Sequence, residues 1–90
     1  MEVEWDPAKA AENVSKHRVR FEEATSVFGD PLAITFDDPD NSNSKSRYLT
    51  LGVSDRGRLL IVSHPYRRRH VRLISARQMV RSERKIYEEG

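Results

Sequence analysis

The chain of 90 residues contains 16 Lys and Arg residues, 14 Asp and Glu residues and no cysteine. This length predicts a single domain, residues 1–90, with one modest core. The lack of cysteine excludes a disulfide framework, a thiolate nucleophile and a cysteine-ligated zinc site. Because no apolar run opens the chain, we expect neither secretion nor membrane insertion, but a cytoplasmic protein.

The charges are unevenly distributed along the chain. Residues 1–45 carry 5 Lys and Arg against 10 Asp and Glu, whereas residues 46–90 carry 11 against 4. A basic half of this kind favours a polyanionic partner, in particular nucleic acid. A solvated cationic surface with no ligand explains the same composition.

Two helices are predicted in the acidic half. Asp6 is suited to the N-cap and Pro7 to the first position of the first helix, whose pattern ends at residues 16–18. The second helix spans residues 21–28 and stops at residues 29–31. Trp5 precedes the first helix, and a lone aromatic residue there is more often part of the core than a base-stacking group.

Alternating apolar residues then predict strands. The predicted strand segments are 32–36, 47–53, 59–63 and 71–74, the third of them central because its apolar run is continuous. Between the first two lies a polar loop with Asp37, Asp38 and Asp40, which fits a solvated loop better than a metal site. An antiparallel meander is the simplest arrangement, and the fold class is α+β in two layers.

An apolar strand leads directly into a basic segment at the end of the chain. Ser75, with Gln78 three residues later, predicts the start of a helix that runs to Tyr87. The predicted packing face contains Ala76, Met79, Val80, Ile86 and Tyr87, and the cationic face contains Arg77, Arg81, Arg84 and Lys85. Glu83 lies at the edge of the packing face, where we expect an arginine to pair with it.

Residues 64–70 form a turn with three arginines, two histidines and a tyrosine. Such a turn holds groups for proton transfer and for phosphate binding, although a solubilising turn would have the same residues. Together with Arg47, Arg72 and Arg77, the turn predicts a cationic concavity on the sheet that binds nucleic acid.

A set of residues in a particular order spans essentially the whole chain. It consists of residues 4–9 (Glu-Trp-Asp-Pro-Ala-Lys), Asn13, Lys16-His17, Phe21-Glu22-Glu23-Ala24, Val27-Phe28, Asp30-Pro31, Arg47, Gly52, Ile74-Ser75-Ala76-Arg77, Glu83-Arg84 and Tyr87-Glu88. In this set the chain resembles the BrnT family. Two features depart from the family pattern: Arg18 replaces the usual glycine, which disfavours a left-handed helix cap there, and residues 67–70 are unusually basic.

The resemblance implies a RelE-like fold of two N-terminal helices, a four-stranded, mainly antiparallel sheet and a C-terminal helix. It implies the toxin of a type II toxin–antitoxin pair, a cytoplasmic, metal-independent endoribonuclease that arrests translation and needs no cofactor. It also implies RNA as substrate and neutralisation by a BrnA antitoxin, whose ribbon-helix-helix domain contacts operator DNA. Toxin–antitoxin heterotetramers are the implied higher-order assembly.

RNA cleavage without a metal requires a base, an acid and groups that stabilise a charged phosphorane. The catalytic candidates are Arg47, His64, Tyr66, Arg77 and Glu83, and the RNA-binding candidates are Arg67, Arg68, Arg69, Arg72, Arg81 and Arg84. His64 is the first choice for proton transfer, with Tyr66 assisting. Glu83 is better suited to orient an arginine than to act as a base, although a desolvated glutamate could serve as one. The alternative is a non-catalytic module that binds nucleic acid or a partner protein.

Overall fold

The computed structural model describes residues 2–38, 47–65 and 70–90 and confirms the α+β class. The elements in chain order are β1 Glu2–Glu4, α1 Pro7–His17, α2 Phe21–Ser26, a 3-10 turn Val27–Gly29, β2 Ile34–Asp37, β3 Arg47–Val53, β4 Leu59–Pro65, β5 His70–Arg72, β6 Ser75–Gln78 and α3 Arg81–Glu89. No helix in these ranges is long and apolar enough to cross a membrane.

The main sheet has the strand order β2-β3-β4-β6, and every neighbouring pair is antiparallel. β4 is therefore a central strand, as its continuous apolar run predicts. β1 and β5 form a separate parallel pair, in which Val3 lies opposite Val71. The predicted strand of residues 71–74 is thus only partly right, because Val71 pairs with the N-terminus and not within the main sheet.

Helices pack against both faces of the main sheet, so the predicted arrangement in two layers is wrong: α1 and α2 lie on one face and α3 on the other. The larger core lies on one face of the sheet, here called the α1/α2 face. It consists of Val19, Phe21, Ala24, Val27, Leu60, Val62, Val71, Leu73 and Ala76. Trp5 packs against this core, with its ring edge-on to Phe21 at a centroid distance of 5.8 Å, which confirms its structural role. A smaller cluster of Leu51, Ile61 and Met79 lies on the opposite face, here called the α3 face, and Tyr87 packs against this cluster.

The ends of α1 are fixed by specific hydrogen bonds. The Asp6 carboxylate accepts from the Ala8 N–H at 2.8 Å, so the predicted N-cap is confirmed. At the other end Arg18 has a φ of 59°, a left-handed conformation that its arginine side chain disfavours. Two contacts offset this cost: the Arg18 N–H donates to Val14, and its carbonyl accepts from Arg58 at 3.1 Å.

The predicted helix start at Ser75 is wrong. Residues 75–78 form β6, which pairs with β4 from Ser63 opposite Ser75 to Leu60 opposite Gln78. The outer edge of β6 is occupied by the buried Asn13, whose side chain exchanges two hydrogen bonds with the Ala76 backbone. Strand pairing and Asn13 thus satisfy the backbone hydrogen-bonding groups of residues 75–78, and these residues form a strand although the apolar residues that follow Ser75 have helical spacing.

Two smaller differences also separate the structure from the predictions. Helix α3 begins at Arg81, where the Glu83 carboxylate accepts from the Val80 N–H at 2.8 Å in place of the predicted Ser75 and Gln78 cap. Leu32 is 71% exposed and lies in a turn before β2, because its N–H donates to the Asp30 carboxylate. β2 is consequently shorter than the predicted strand.

Candidate functional site

The α3 face carries two rows of side chains that cross the sheet. Antiparallel register places Ile34, Leu51, Ile61 and Arg77 in one row and Phe36, Leu49, Ser63 and Ser75 in the next. Arg47 follows on the same face, opposite Pro65 at the end of the β3–β4 pair. The second row, here called the cross-sheet row, is half-buried throughout. Arginines therefore lie on this face on both sides of the cross-sheet row.

Arg77 is held by Glu83 in a bidentate ion pair. Its two terminal nitrogens donate to the two carboxylate oxygens at 2.8 Å each, and one of them also donates to the Gln78 carbonyl at 3.2 Å. The hydrogen bonds from Arg77 lower the pKa of the Glu83 carboxyl, and the same contact raises the pKa of Arg77. The pairing expected for Glu83 is thus present in the structure, and its carboxylate stays ionised.

A second contact holds the C-terminal half of α3 in place. The Tyr87 hydroxyl donates to the Asp30 carboxylate at 2.5 Å, and the same carboxylate accepts from the Val53 N–H at 2.9 Å. Desolvation raises the pKa of Asp30, but the hydrogen bonds from Tyr87, Val53 and Leu32 outweigh it, so the pKa is lowered. In the sequence Asp30 belongs to the predicted helix stop and to the residues shared with the family, and nothing in the local pattern shows that its side chain reaches Tyr87.

His64 lies on the other face of the sheet. It is 3% exposed, shares the α1/α2 face with Leu60 and Val62, and contacts the Phe28 ring edge-on at 5.2 Å. Its Nδ1–H donates to the Pro65 carbonyl at 3.1 Å, so Nε2 accepts from the Thr50 hydroxyl at 2.7 Å. Burial lowers the pKa of His64, and the structure does not bring this imidazole together with Arg47 and Arg77.

The family of the chain follows from its sequence and agrees with this fold. A family model described as the ribonuclease toxin BrnT of type II toxin–antitoxin systems matches residues 5–83. The chain belongs to the BrnT family. No curated protein sequence matches the chain. A BrnT family member accordingly has RNA as its target and an antitoxin as its partner.

One solved structure supports the fold of this BrnT family member. The crystal structure of the Brucella abortus ribonuclease toxin BrnT, at 1.1 Å resolution, is similar to it with a TM-score of 0.68. The match covers 90% of this chain and 99% of the other at 19% sequence identity. At this identity the comparison shows a shared fold and does not transfer individual site residues.

Three further candidates of this BrnT chain that the structure describes, Arg72, Arg81 and Arg84, lie outside the two rows. Arg81 and Arg84 are exposed on α3, where they line a shallow concavity with Lys85 and Glu88. Arg72 is exposed in β5, which pairs with β1 and not with a strand of the main sheet. Tyr66, Arg67, Arg68 and Arg69 lie outside the described residues, as does Asp40, whereas Asp37 and Asp38 are described. In the described ranges no group of three or more His, Cys, Asp or Glu side chains could hold a metal ion.

Sequence reasoning missed three members of the cross-sheet row, Phe36, Ser63 and Ser75, as candidates for the site. Phe36 is predicted only as a strand residue, and Ser75 as a helix cap. Register across four strands brings them beside Arg47 and Arg77 in this BrnT chain. Strand alternation could have placed Phe36 and Leu49 on one face, but the correct strand assignment of residues 75–78 was needed to complete the row.

Proposed function

We propose that the chain is a cytoplasmic endoribonuclease that cleaves RNA without a metal ion and thereby inhibits translation. The observation that carries the proposal is the position of Arg77, which Glu83 fixes by two hydrogen bonds on the sheet face that also carries Arg47. Arginine is suited to phosphate because its planar guanidinium donates several hydrogen bonds and keeps its charge.

The proposed reaction begins with attack of the ribose 2′-oxygen on the neighbouring phosphorus. A base removes the 2′-hydroxyl proton, the new P–O bond forms, and the bond to the 5′-oxygen breaks as that oxygen takes up a proton from an acid. The products are a 2′,3′-cyclic phosphate and a 5′-hydroxyl. Because negative charge accumulates on the phosphorane, cationic donors placed beforehand stabilise the transition state more than the substrate.

Arg77 and Arg47 are assigned to different phosphates of the RNA. They are separated by four residues along the strands and two strands across, so their Cα atoms are about 17 Å apart. We assign Arg77, which Glu83 orients, to the scissile phosphate and Arg47 to a neighbouring phosphate. The Ser63 and Ser75 hydroxyls lie in the row between them and are suited to donate to RNA oxygens.

Proton transfer by His64, assisted by Tyr66, stays a prediction. The geometry of His64 favours a structural role, because its imidazole is buried on the α1/α2 face and uses both ring nitrogens within the protein. If His64 acts as the acid or base, replacement by Gln should flatten the pH–rate profile of RNA cleavage. An unchanged rate and profile would remove it from the mechanism.

A BrnA-type antitoxin with a ribbon-helix-helix domain is the proposed partner. It would neutralise the toxin, carry the complex to operator DNA and assemble with it into a heterotetramer. The exposed arginines, Arg72, Arg81 and Arg84, together with Arg67, Arg68 and Arg69, are proposed to contact RNA. Coexpression with such an antitoxin should restore the growth of cells that the chain alone inhibits.

Incubation of the purified chain with total RNA distinguishes the enzyme from the non-catalytic binding module. The proposal predicts cleavage that is unchanged by EDTA and that leaves 2′,3′-cyclic phosphate ends. Binding without cleavage would support the alternative instead. Cleavage that EDTA abolishes and added Mg²⁺ restores would contradict metal independence.

A further inference from the structure

Phe36 is an aromatic residue at the edge of the sheet, on the face that carries the arginines. It lies in β2, one of the two edge strands of the main sheet, directly opposite Leu49 of β3. Its side chain is half-buried and packs beside the Leu51 cluster. Part of this apolar surface therefore stays accessible in the described structure.

Arg47 lies next to this surface. It occupies the same face two residues before Leu49 in β3, and the backbone of residue 47 accepts a hydrogen bond from the Asp38 N–H at 2.9 Å. A residue diagonal to Phe36 in this way lies about 7–8 Å from it, and somewhat closer at the Cβ atoms. That separation is close to the distance between a base and the phosphate of its own nucleotide.

We infer that Phe36, supported by Leu49, forms a stacking surface for an unpaired base of the RNA whose phosphate contacts Arg47. This inference rests on the proposed ribonuclease function and deepens it, because it defines the substrate as single-stranded at that position. Bases in a duplex are stacked on their neighbours and are not free to stack on a protein ring. An aromatic ring accepts any base, so the surface would select unpaired RNA more than a particular base.

The neighbouring charges favour a base of RNA over an apolar segment of another protein. Arg47 and Arg77 lie on the two sides of the row that contains Phe36, and hydroxyl groups of Ser63 and Ser75 complete that row. A ring beside cationic and hydroxyl donors matches the alternation of base and ribose phosphate along a single strand.

Single-stranded RNA oligonucleotides with one abasic nucleotide, placed in turn at each position near the cleavage site, test this inference. For the parent, we expect one position at which loss of the base lowers kcat/KM about tenfold. Phe36→Leu should lower kcat/KM on the intact RNA by a similar factor, and in this variant loss of the base at that position should lower kcat/KM no further. Phe36→Tyr should remain as sensitive to loss of that base as the parent. Val14→Ala is the control, because Val14 is a 40% exposed apolar residue of α1, on the opposite side of the sheet, and its replacement should leave kcat/KM unchanged.

Fluorescence of 2-aminopurine, placed in turn at each position of the same oligonucleotides, provides a second measurement that does not require cleavage. Binding to the parent should quench it, and binding to Phe36→Leu should not. Quenching without any cleavage would refute the ribonuclease proposal and leave the stacking surface intact. The inference is overturned if folded Phe36→Leu, checked by circular dichroism, keeps the full abasic penalty and the full quenching. It is also overturned if this variant weakens only antitoxin binding.

Discussion

The guanidinium of Arg77 and the carboxylate of Glu83 are joined by two parallel hydrogen bonds of 2.8 Å, which link β6 to α3. Side-chain exposure is 40% for Arg77 and 18% for Glu83, so part of the Arg77 side chain remains accessible while that of Glu83 is largely covered. This geometry suits an arginine that is oriented from behind and contacts a substrate in front. Glu83 is therefore a positioning residue in this account.

Glu83→Gln should lower kcat for RNA cleavage about tenfold, because an amide holds the guanidinium with one hydrogen bond acceptor where the carboxylate offers two. The matched control is Glu23→Gln. Glu23 forms a similar buried pair with Arg58, at 2.9 Å to Nε, but between α2 and the β3–β4 hairpin. Glu23→Gln should lower the free energy of unfolding and leave kcat unchanged. Equal effects on kcat would show that Glu83 acts only through stability.

The buried His64 should make the folded protein less stable in weak acid. Because burial lowers the pKa of His64 in the folded state, the unfolded chain takes up a proton near its ordinary pKa of about 6.5 while the folded chain does not. Stability is thus complete above about pH 6.5 and falls as the pH drops below that value, by at most about 1.4 kcal/mol per pH unit. Urea unfolding between pH 7.5 and 5.5 measures this dependence.

Two variants show which histidine is responsible for the loss of stability at low pH. His64→Gln should be less stable than the parent at pH 7.5, since its Thr50 and Pro65 partners lose a well-placed ring, and it should lose the slope between pH 6.5 and 5.5. His70→Gln, at an exposed site in β5, should keep the slope of the parent. A slope that survives in His64→Gln would assign the acid sensitivity to another group.

Gly52 should not tolerate a side chain. A Cβ atom there would lie 2.7 Å from the Val27 side chain and 3.2 Å from the Asp30 carboxylate. Gly52→Ala should therefore lower the free energy of unfolding by about 1–3 kcal/mol. Gly29→Ala is the control, because its added Cβ would meet no other part of the described structure within 4 Å beyond its chain neighbours and its own helix backbone, and its stability should stay close to that of the parent. A stable Gly52→Ala protein would contradict this close packing.

Asn13 should be essential for the attachment of α1 to β6. Its buried amide donates to the Val19 and Ala76 carbonyls at 2.9 and 2.8 Å, and its oxygen accepts from the Ala76 N–H at 3.0 Å. Asn13→Ala leaves these groups unpaired, which should cost about 1–3 kcal/mol of unfolding free energy. Asn13→Asp should cost more at pH 7, because a carboxylate cannot donate to either carbonyl.

Thermal unfolding of Asn13→Ala and Ser15→Ala makes the comparison direct. Ser15 lies on the exposed side of α1, so its replacement should change stability by no more than about 0.5 kcal/mol. If both variants unfold together with the parent, the hydrogen bonds of Asn13 contribute nothing net to the fold.

Local signals in the sequence were sufficient where neighbours in the chain decide the structure. Asp6 and Pro7 mark the start of α1, and alternating apolar residues mark β3 and β4. Residues 75–78 show the limit of such signals, because their strand state depends on pairing with β4 and on Asn13, more than 60 residues away. The short parallel pair of β1 and β5 depends on the same kind of distant contact.

The candidate site also has some features that local sequence predicts and others that depend on distant contacts. The expected arginine partner of Glu83 was found from helix spacing and charge, and the pair is present although the helix begins six residues later. Arg47 and Arg77 do share a sheet face, as the predicted concavity requires. His64 does not, because strand alternation places residue 64 on the face opposite residue 47.

Cleavage of single-stranded RNA in EDTA, measured at enzyme excess, tests the central claim that the arginine-bearing α3 face is the catalytic site. Arg77→Ala should cut about a hundredfold more slowly than the parent, a loss of about 3 kcal/mol of transition-state stabilisation. Arg56→Ala, in the exposed turn at the other end of the β3–β4 hairpin, should cut at the parental rate. A folded Arg77→Ala protein that cuts as fast as Arg56→Ala would contradict the account.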